Sequence, residues 1–158
     1  MMDDMLVMIR KLDNIAMLDY LMPVRHETWG TAMHGLATGL ALFLALAIIT
    51  IGTQYIWRPM AATRSFGLPL PANGANVAWW LRLKGVRDIA SGLTVLAIMV
   101  WGGPHMVGII LLVEAIIPIG DMLVVLAARG SARRAFGIHG LTALVMILAA
   151  VPLIMGAA

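Results

Sequence analysis

Four long apolar runs divide most of this 158-residue sequence, and each run is long enough to form a membrane-spanning helix. A helix needs about 20 apolar residues to cross the roughly 30 Å hydrocarbon core of a bilayer. Hydrophobic residues make up 61% of the chain and charged residues 12%, whereas soluble domains carry about 25% charged residues. The runs therefore predict spans at about 34–57, 83–102, 105–128 and 138–157.

The predicted fold is all-α: a polytopic membrane protein with four transmembrane helices in residues 34–158, preceded by an N-terminal amphipathic segment in residues 1–33. The stretch 5–22 repeats apolar residues at helical spacing, while most of its charged residues fall elsewhere on the helix. This pattern predicts an interfacial helix that lies on the membrane and ends at Pro23. A docking surface for another protein is the functional alternative.

The basic residues are distributed unevenly between the two sides of this predicted topology. The connections after the first and third spans hold eight of the eleven bases: Arg58, Arg64, Arg82, Lys84, Arg87, Arg129, Arg133 and Arg134. The positive-inside rule then places both connections in the cytoplasm and both termini on the opposite side of a plasma or inner membrane. Anionic lipid headgroups account for the basic balance, so we expect a lipid bilayer as partner and no nucleic acid.

Several ionisable residues are predicted to meet near the cytoplasmic boundary. If the second helix starts near Val77, one of its faces carries Lys84, Arg87, Asp88 and Ser91. Asp121 lies near the end of the third span and His139 near the start of the fourth, so both reach the same depth. Charged groups in a bilayer face inward and pair with one another. We therefore expect Arg87 or Lys84 to meet Asp121, with His139 close to either.

Glu114 lies near the middle of the third span, with no base at its depth. Such a glutamate is protonated, hydrogen-bonded to another helix or lining a wet cavity. Pro118 frees a backbone carbonyl and predicts a kink between Glu114 and Asp121. The candidate ligand-binding or ion-pair residues are Lys84, Arg87, Asp88, Glu114, Asp121 and His139. The alternative is that the same ion pairs only fix the helix register.

The sequence offers little for metal or cofactor chemistry. Cysteine is absent, and the four histidines are scattered along the chain, so we expect no metal site and no cofactor. No nucleophile elbow, phosphate-binding loop or HExxH motif is present. Gly35 and Gly39 form a GxxxG motif that favours close helix packing, either within the chain or in a homo-oligomer.

Residues 36–155 resemble a family of small four-span membrane proteins that is described as a domain of unknown function. The resemblance rests on Pro59 with Phe66-Gly67, KGVRDIASG at 84–92, PIGD at 118–121 and His139-Gly140. It implies a four-helix membrane fold with a shared polar site made by Arg87, Asp88, Asp121 and His139. The resemblance implies no reaction. Glu114 and the N-terminal 33 residues are not part of the pattern.

Three classes of function remain open from the sequence. The first is an accessory membrane subunit or small-ligand binder, which the N-terminal helix and the absence of catalytic motifs favour. The second is a small membrane enzyme, of isomerase or hydrolase type, that acts on a lipophilic substrate with the acids and His139 as proton donors and acceptors. The third is a proton-coupled transporter that uses Glu114 as carrier. An enclosed apolar pocket ending on Asp88, Asp121 and His139 would favour the enzyme.

Overall fold

The computed structural model describes the backbone of residues 2–69 and 76–156, and the side chains of residues 30–64, 66–69 and 76–156. Every regular element in these ranges is helical. The elements are α1 (Met2–Trp57), α2 (Pro59–Phe66), α3 (Val77–Trp101), α4 (Gly103–Glu114), α5 (Ile116–Ala127), α6 (Ala132–Arg134), a π-helical turn (Ala135–Gly140) and α7 (Leu141–Met155).

Three helical stretches of the described chain are long and apolar enough to cross a membrane. They are Gly30–Trp57, Gly103–Ala127 and Ala132–Met155. Large apolar side chains on their outer faces are exposed, among them Leu36, Phe43, Val113, Val124 and Leu148. Apolar surface of this extent is stable in lipid and not in water. The chain is therefore an integral membrane protein.

Glycine and alanine bring α1 and α3 into close antiparallel contact. A Cβ atom added to Gly85 would lie 2.5 Å from the carbonyl oxygen of Gly52, and one added to Gly52 would lie 2.6 Å from that of Gly85. Two turns along α3, a Cβ on Gly92 would lie 2.6 Å from the carbonyl oxygen of Ala45. Small residues are favoured at such crossings because lipid supplies no hydrophobic drive between helices, so close packing must hold them together.

The helix α4–α5 breaks at Ala115, which forms a turn between Glu114 and Ile116. Pro118 has no N–H to donate to the carbonyl of Glu114, so the regular hydrogen-bond ladder is interrupted there. This break agrees with the distortion expected from Pro118. The α4 half packs antiparallel to α7, where a Cβ on Gly108 would lie 2.9 Å from the carbonyl oxygen of Ala150.

One predicted helix end is wrong, and two helices extend beyond the predicted membrane spans. The first helix does not end at Pro23 but continues through it to Trp57, because proline removes one backbone donor without obliging a long helix to stop. The helix α3 begins at Val77, and the last long helix begins at Ala132. Both starts precede the apolar runs because basic side chains are compatible with a helix that extends into the interface. The prediction that residues 5–22 form an amphipathic helix concerns side chains that lie outside the described residues.

The face of α1 that packs inside the molecule carries alanines. Ala37, Ala41 and Ala45 are buried at intervals of one helical turn. Gly35 and Gly39 are exposed, and a Cβ on either would meet nothing within 4 Å. The prediction that this glycine pair packs within the chain is therefore wrong for the described residues, because the pair lies on the side of α1 that faces away from them. Its use in a homo-oligomer stays a prediction.

Gly85→Ala should lower the free energy of unfolding by about 1–3 kcal/mol, because the new methyl group would overlap the Gly52 carbonyl and force α1 and α3 apart. The matched control is Gly39→Ala, which adds the same methyl group in open space. Thermal unfolding of the detergent-solubilised variants measures the difference. Equal midpoints for the two variants would contradict the close crossing.

Candidate functional site

A cavity of about 320 Å³ lies between α1, α3, α4–α5 and the last helix. From Lys84 to Val95 its lining follows α3 for about 16 Å, at a rise of roughly 1.5 Å per residue. The apolar end is lined by Leu44, Ile48, Val95, Leu111 and Met146. The polar end is lined by Tyr55, Phe66, Lys84, Asp88, Asp121 and His139. The cavity therefore changes from apolar to polar along its length.

Lys84 and Asp88 form an ion pair on one face of α3. The Lys84 Nζ lies 2.9 Å from both carboxylate oxygens of Asp88. The Asp88 side chain is 7% exposed and that of Lys84 is 28% exposed. The ammonium also lies 5.2 Å from the ring centre of Tyr55 and 5.4 Å from that of Phe66, where the negative ring faces stabilise a cation. This pair neutralises its own charges inside the cavity.

His139 has its proton placement fixed by a backbone carbonyl. Its Nε2 lies 2.9 Å from the carbonyl oxygen of Phe66. Since a carbonyl only accepts, Nε2 carries hydrogen and donates it. The Nδ1 atom then faces Asp121 Oδ2 at 3.9 Å, and two bare acceptors would repel each other. A water molecule between the two groups, or a proton on either one, would relieve this repulsion, since 3.9 Å is too long for a direct hydrogen bond.

The position of His139 depends on two irregular backbone segments. His139 lies in the π-helical turn, a rare form that is frequent at functional sites. Gly67 ends α2 at φ 104°, a conformation that favours glycine. Its carbonyl accepts the N–H of Ser131 at 2.8 Å, which ties α2 to the α5–α6 connection. The Phe66 ring packs against the imidazole with centroids 4.6 Å apart, so α2 closes the polar end of the cavity.

Glu114 accepts a short hydrogen bond from the hydroxyl of Ser91. Both residues line the cavity between its polar and apolar ends, and both are half-buried. Of the alternatives open for Glu114, the structure shows the hydrogen bond to a neighbouring helix and the position on a cavity wall. Helical spacing places Ser91 on the same face of α3 as Lys84 and Asp88. Its partner Glu114 lies 23 residues away in another helix, and no local sequence pattern indicates this pairing.

Arg87 does not belong to the site. Its side chain is exposed and does not line the cavity, whereas Lys84, Asp88, Ser91 and Val95 do. The predicted inward orientation of Arg87 is wrong because one residue rotates a helix by about 100°. Turning Asp88 inward therefore carries Arg87 to the edge of the face. Lys84 pairs directly with Asp88 rather than with Asp121, although its charge also acts on Asp121.

Tyr55 and Phe66 were not expected at the site. Tyr55 lies near the end of α1 and Phe66 is the last residue of α2, and both rings face the Lys84 ammonium. Aromatic residues near helix ends are too common to identify these two as parts of a site. Among the described residues, no group of three or more His, Asp or Glu side chains is arranged to hold a metal ion.

Lys84→Met should destabilise the protein by about 1–3 kcal/mol, because it leaves the Asp88 carboxylate buried without its partner. The double variant Lys84→Met with Asp88→Leu should recover most of this loss, since it removes both charges. Arg87→Met is the control and should change stability by less than about 0.5 kcal/mol. Thermal unfolding in detergent tests the series. A loss for Arg87→Met equal to that for Lys84→Met would refute the assigned orientations.

Comparison with known proteins identifies the family of the chain. No curated protein and no solved structure shows a significant match to the chain. The family model of a domain of unknown function (DUF4267) matches residues 45–153. This range contains most of the cavity lining and all of the ionisable residues placed on it. The chain therefore belongs to the family defined by this domain of unknown function.

Proposed function

We propose that the protein is a four-span membrane protein that binds a small amphipathic ligand in the cavity between its helices. The cavity carries the proposal, because its lining joins an apolar wall to a compact polar end. Small-molecule sites have this composition, with volumes of about 300–1,000 Å³ and a few polar groups that fix the ligand orientation. The apolar part of the ligand lies against Val95, Leu111 and Met146, and its polar group points toward the polar end of the cavity.

The spacing of tryptophans supports α3 as the fourth span. Trp79 and Trp80 are exposed at its start and Trp101 at its end. About 33 Å separates the two ends at roughly 1.5 Å per residue, close to the thickness of a bilayer core. Indole rings favour the two membrane interfaces. Asp88 faces inward with Lys84, which leaves the outer face of α3 with apolar side chains such as Leu93 and Val100.

The distribution of arginines supports a cytoplasmic position for the polar end. Five exposed arginines surround this end of the described chain: Arg58, Arg64, Arg129, Arg133 and Arg134. In the proposed orientation they face anionic headgroups of the inner leaflet. Both termini then lie on the opposite side of the membrane.

A lateral opening supports a ligand that arrives through the lipid. Three residues on the cavity wall are themselves exposed on the outer surface: Ile51 of α1, Ile117 of α5 and Ile138 of the π-helical turn. Residues that line the cavity and are also exposed are expected at an apolar opening toward the lipid. A ligand dissolved in the bilayer can pass this opening without crossing the polar end.

Catalysis on such a ligand is the second candidate function. The neighbouring Asp121 and His139 favour it, because a carboxyl and an imidazole on one cavity wall can serve as proton donor and acceptor for a bound molecule. The Asp88–Lys84 pair lies on the same cavity wall and supplies an acceptor and a donor. This arrangement corresponds to proton transfer on a lipophilic substrate.

Photolabelling with a decyl alcohol that carries a diazirine near the chain end tests the site. In bilayer nanodiscs the wild-type protein should be labelled on peptides containing Val95 and Leu111. Ile117→Trp should strongly reduce this labelling, because the indole would fill the lateral opening. Ile116→Trp is the matched control, since Ile116 is exposed in the same helix but does not line the cavity. Mass spectrometry of the digested protein gives the labelled positions. Labelling confined to outer helix faces would exclude a ligand-binding cavity.

A further inference from the structure

We infer that the ligand of this cavity is an amphipathic amine whose positively charged group binds beside Glu114. The inference rests on the proposed ligand-binding function and adds the charge of the ligand and its anchoring residue. It follows from the way in which the charged groups of the cavity are already paired.

The cavity wall carries more negative than positive groups. Besides the phenol of Tyr55, its ionisable side chains are Lys84, Asp88, Glu114, Asp121 and His139. Among the described residues, Lys84 is the only lysine or arginine on this wall, and its ammonium is bound by both oxygens of Asp88. The Nδ1 atom of His139 faces Asp121, and its Nε2 donates a hydrogen bond to the Phe66 carbonyl. Lys84 and His139, the two groups on this wall that can carry a positive charge, therefore already face the carboxyl groups of Asp88 and Asp121.

Glu114 is left with a neutral partner, the hydroxyl of Ser91. The nearby basic residues of α3 point elsewhere. Arg82 donates from Nε to the Ile56 carbonyl at 3.2 Å and lies over the Trp79 ring, and Arg87 is exposed on the outer surface. Within the described part of the chain, no basic side chain pairs with Glu114. An ionised carboxylate inside a membrane protein costs several kcal/mol unless a cation compensates it.

The surroundings of Glu114 match an ammonium group attached to an apolar chain. An ammonium has three donors and needs several acceptors around it. Glu114 supplies its carboxylate, and the Ser91 hydroxyl oxygen beside it on the cavity wall supplies a second acceptor. Beyond Glu114 the wall becomes apolar through Leu111, Val95 and Met146. A carboxylate or phosphate ligand would instead add negative charge to a cavity that holds three carboxyl groups.

The test uses three compounds with the same decyl chain and different head groups. Decylamine, 1-decanol and decanoate compete with the photoreactive decyl alcohol for labelling of the cavity in phosphatidylcholine nanodiscs. Decylamine should compete about tenfold better than 1-decanol, because a charge-assisted hydrogen bond replaces a neutral one. Decanoate should compete less well than 1-decanol. In Glu114→Gln the preference should disappear, so that decylamine competes no better than 1-decanol.

Arg87→Gln is the control variant, because it removes a charge outside the cavity and should keep the preference for the amine. Labelling of the cavity by the photoreactive alcohol in Glu114→Gln, on the same peptides as in the wild type, shows that this variant retains the folded cavity. Equal competition by the amine and the alcohol in the wild type, or an amine preference that survives Glu114→Gln, would overturn the inference and leave ligand binding intact. Absence of cavity labelling by the photoreactive alcohol in the wild type would overturn the proposed function and the inference together.

Discussion

The free-energy cost of a charged group in hydrocarbon governs how this chain folds. In the part of the chain that the structure describes, three helices are long and apolar enough to span a bilayer, and their outer faces carry exposed apolar side chains. Ionisable groups within such helices are stabilised by facing one another inside the molecule. Asp88 is buried against Lys84, and His139 is buried against Phe66 and Asp121. The polar end of the cavity is thus a consequence of the same constraint that determines the apolar exterior.

Close packing and its local interruption together produce the cavity. On one side, α1 and α3 approach until Gly52 and Gly85 leave no space for a side chain. On the other side, two regular helices are interrupted, one by the turn at Ala115 and one by the π-helical turn that contains His139. Both interruptions lie beside the cavity, and each places an ionisable residue on its wall. Irregular backbone inside a membrane protein is tolerated where it lines a cavity or is covered by protein.

The sequence predicts the helices better than it predicts their contacts. Hydropathy identifies the apolar helices because length and composition decide membrane insertion, and the spacing of Lys84 and Asp88 identifies a pair on one helix face. Hydropathy alone detects α3 only from about residue 83, where its apolar run begins, whereas the helix itself begins at Val77. The orientation of Arg87 depends on which neighbour α3 packs against, which is a tertiary property.

Sequence patterns also do not predict the contact between His139 and the Phe66 carbonyl. It joins two residues 73 positions apart and requires the left-handed conformation of Gly67 and the π-helical turn at the same time. The hydrogen bond between Ser91 and Glu114 is similar, since each residue could be placed on its own helix but the pairing could not. Long-range contacts of this kind depend on helix rotation, and a rotation of one residue changes every partner.

Lipid and water accessibility along α3 test the central claim most directly, namely that its charged face turns inward while its opposite face contacts lipid. The chain contains no cysteine, so single cysteines at Val86, Ser91, Leu93, Val95 and Val100 can each carry a nitroxide label in nanodiscs. Collision rates with oxygen, which concentrates in hydrocarbon, should be high at Leu93 and Val100 and low at Ser91 and Val95. A label at Leu93 that instead collides freely with a water-soluble nickel chelate, or equal oxygen collision rates at all positions, would contradict the account.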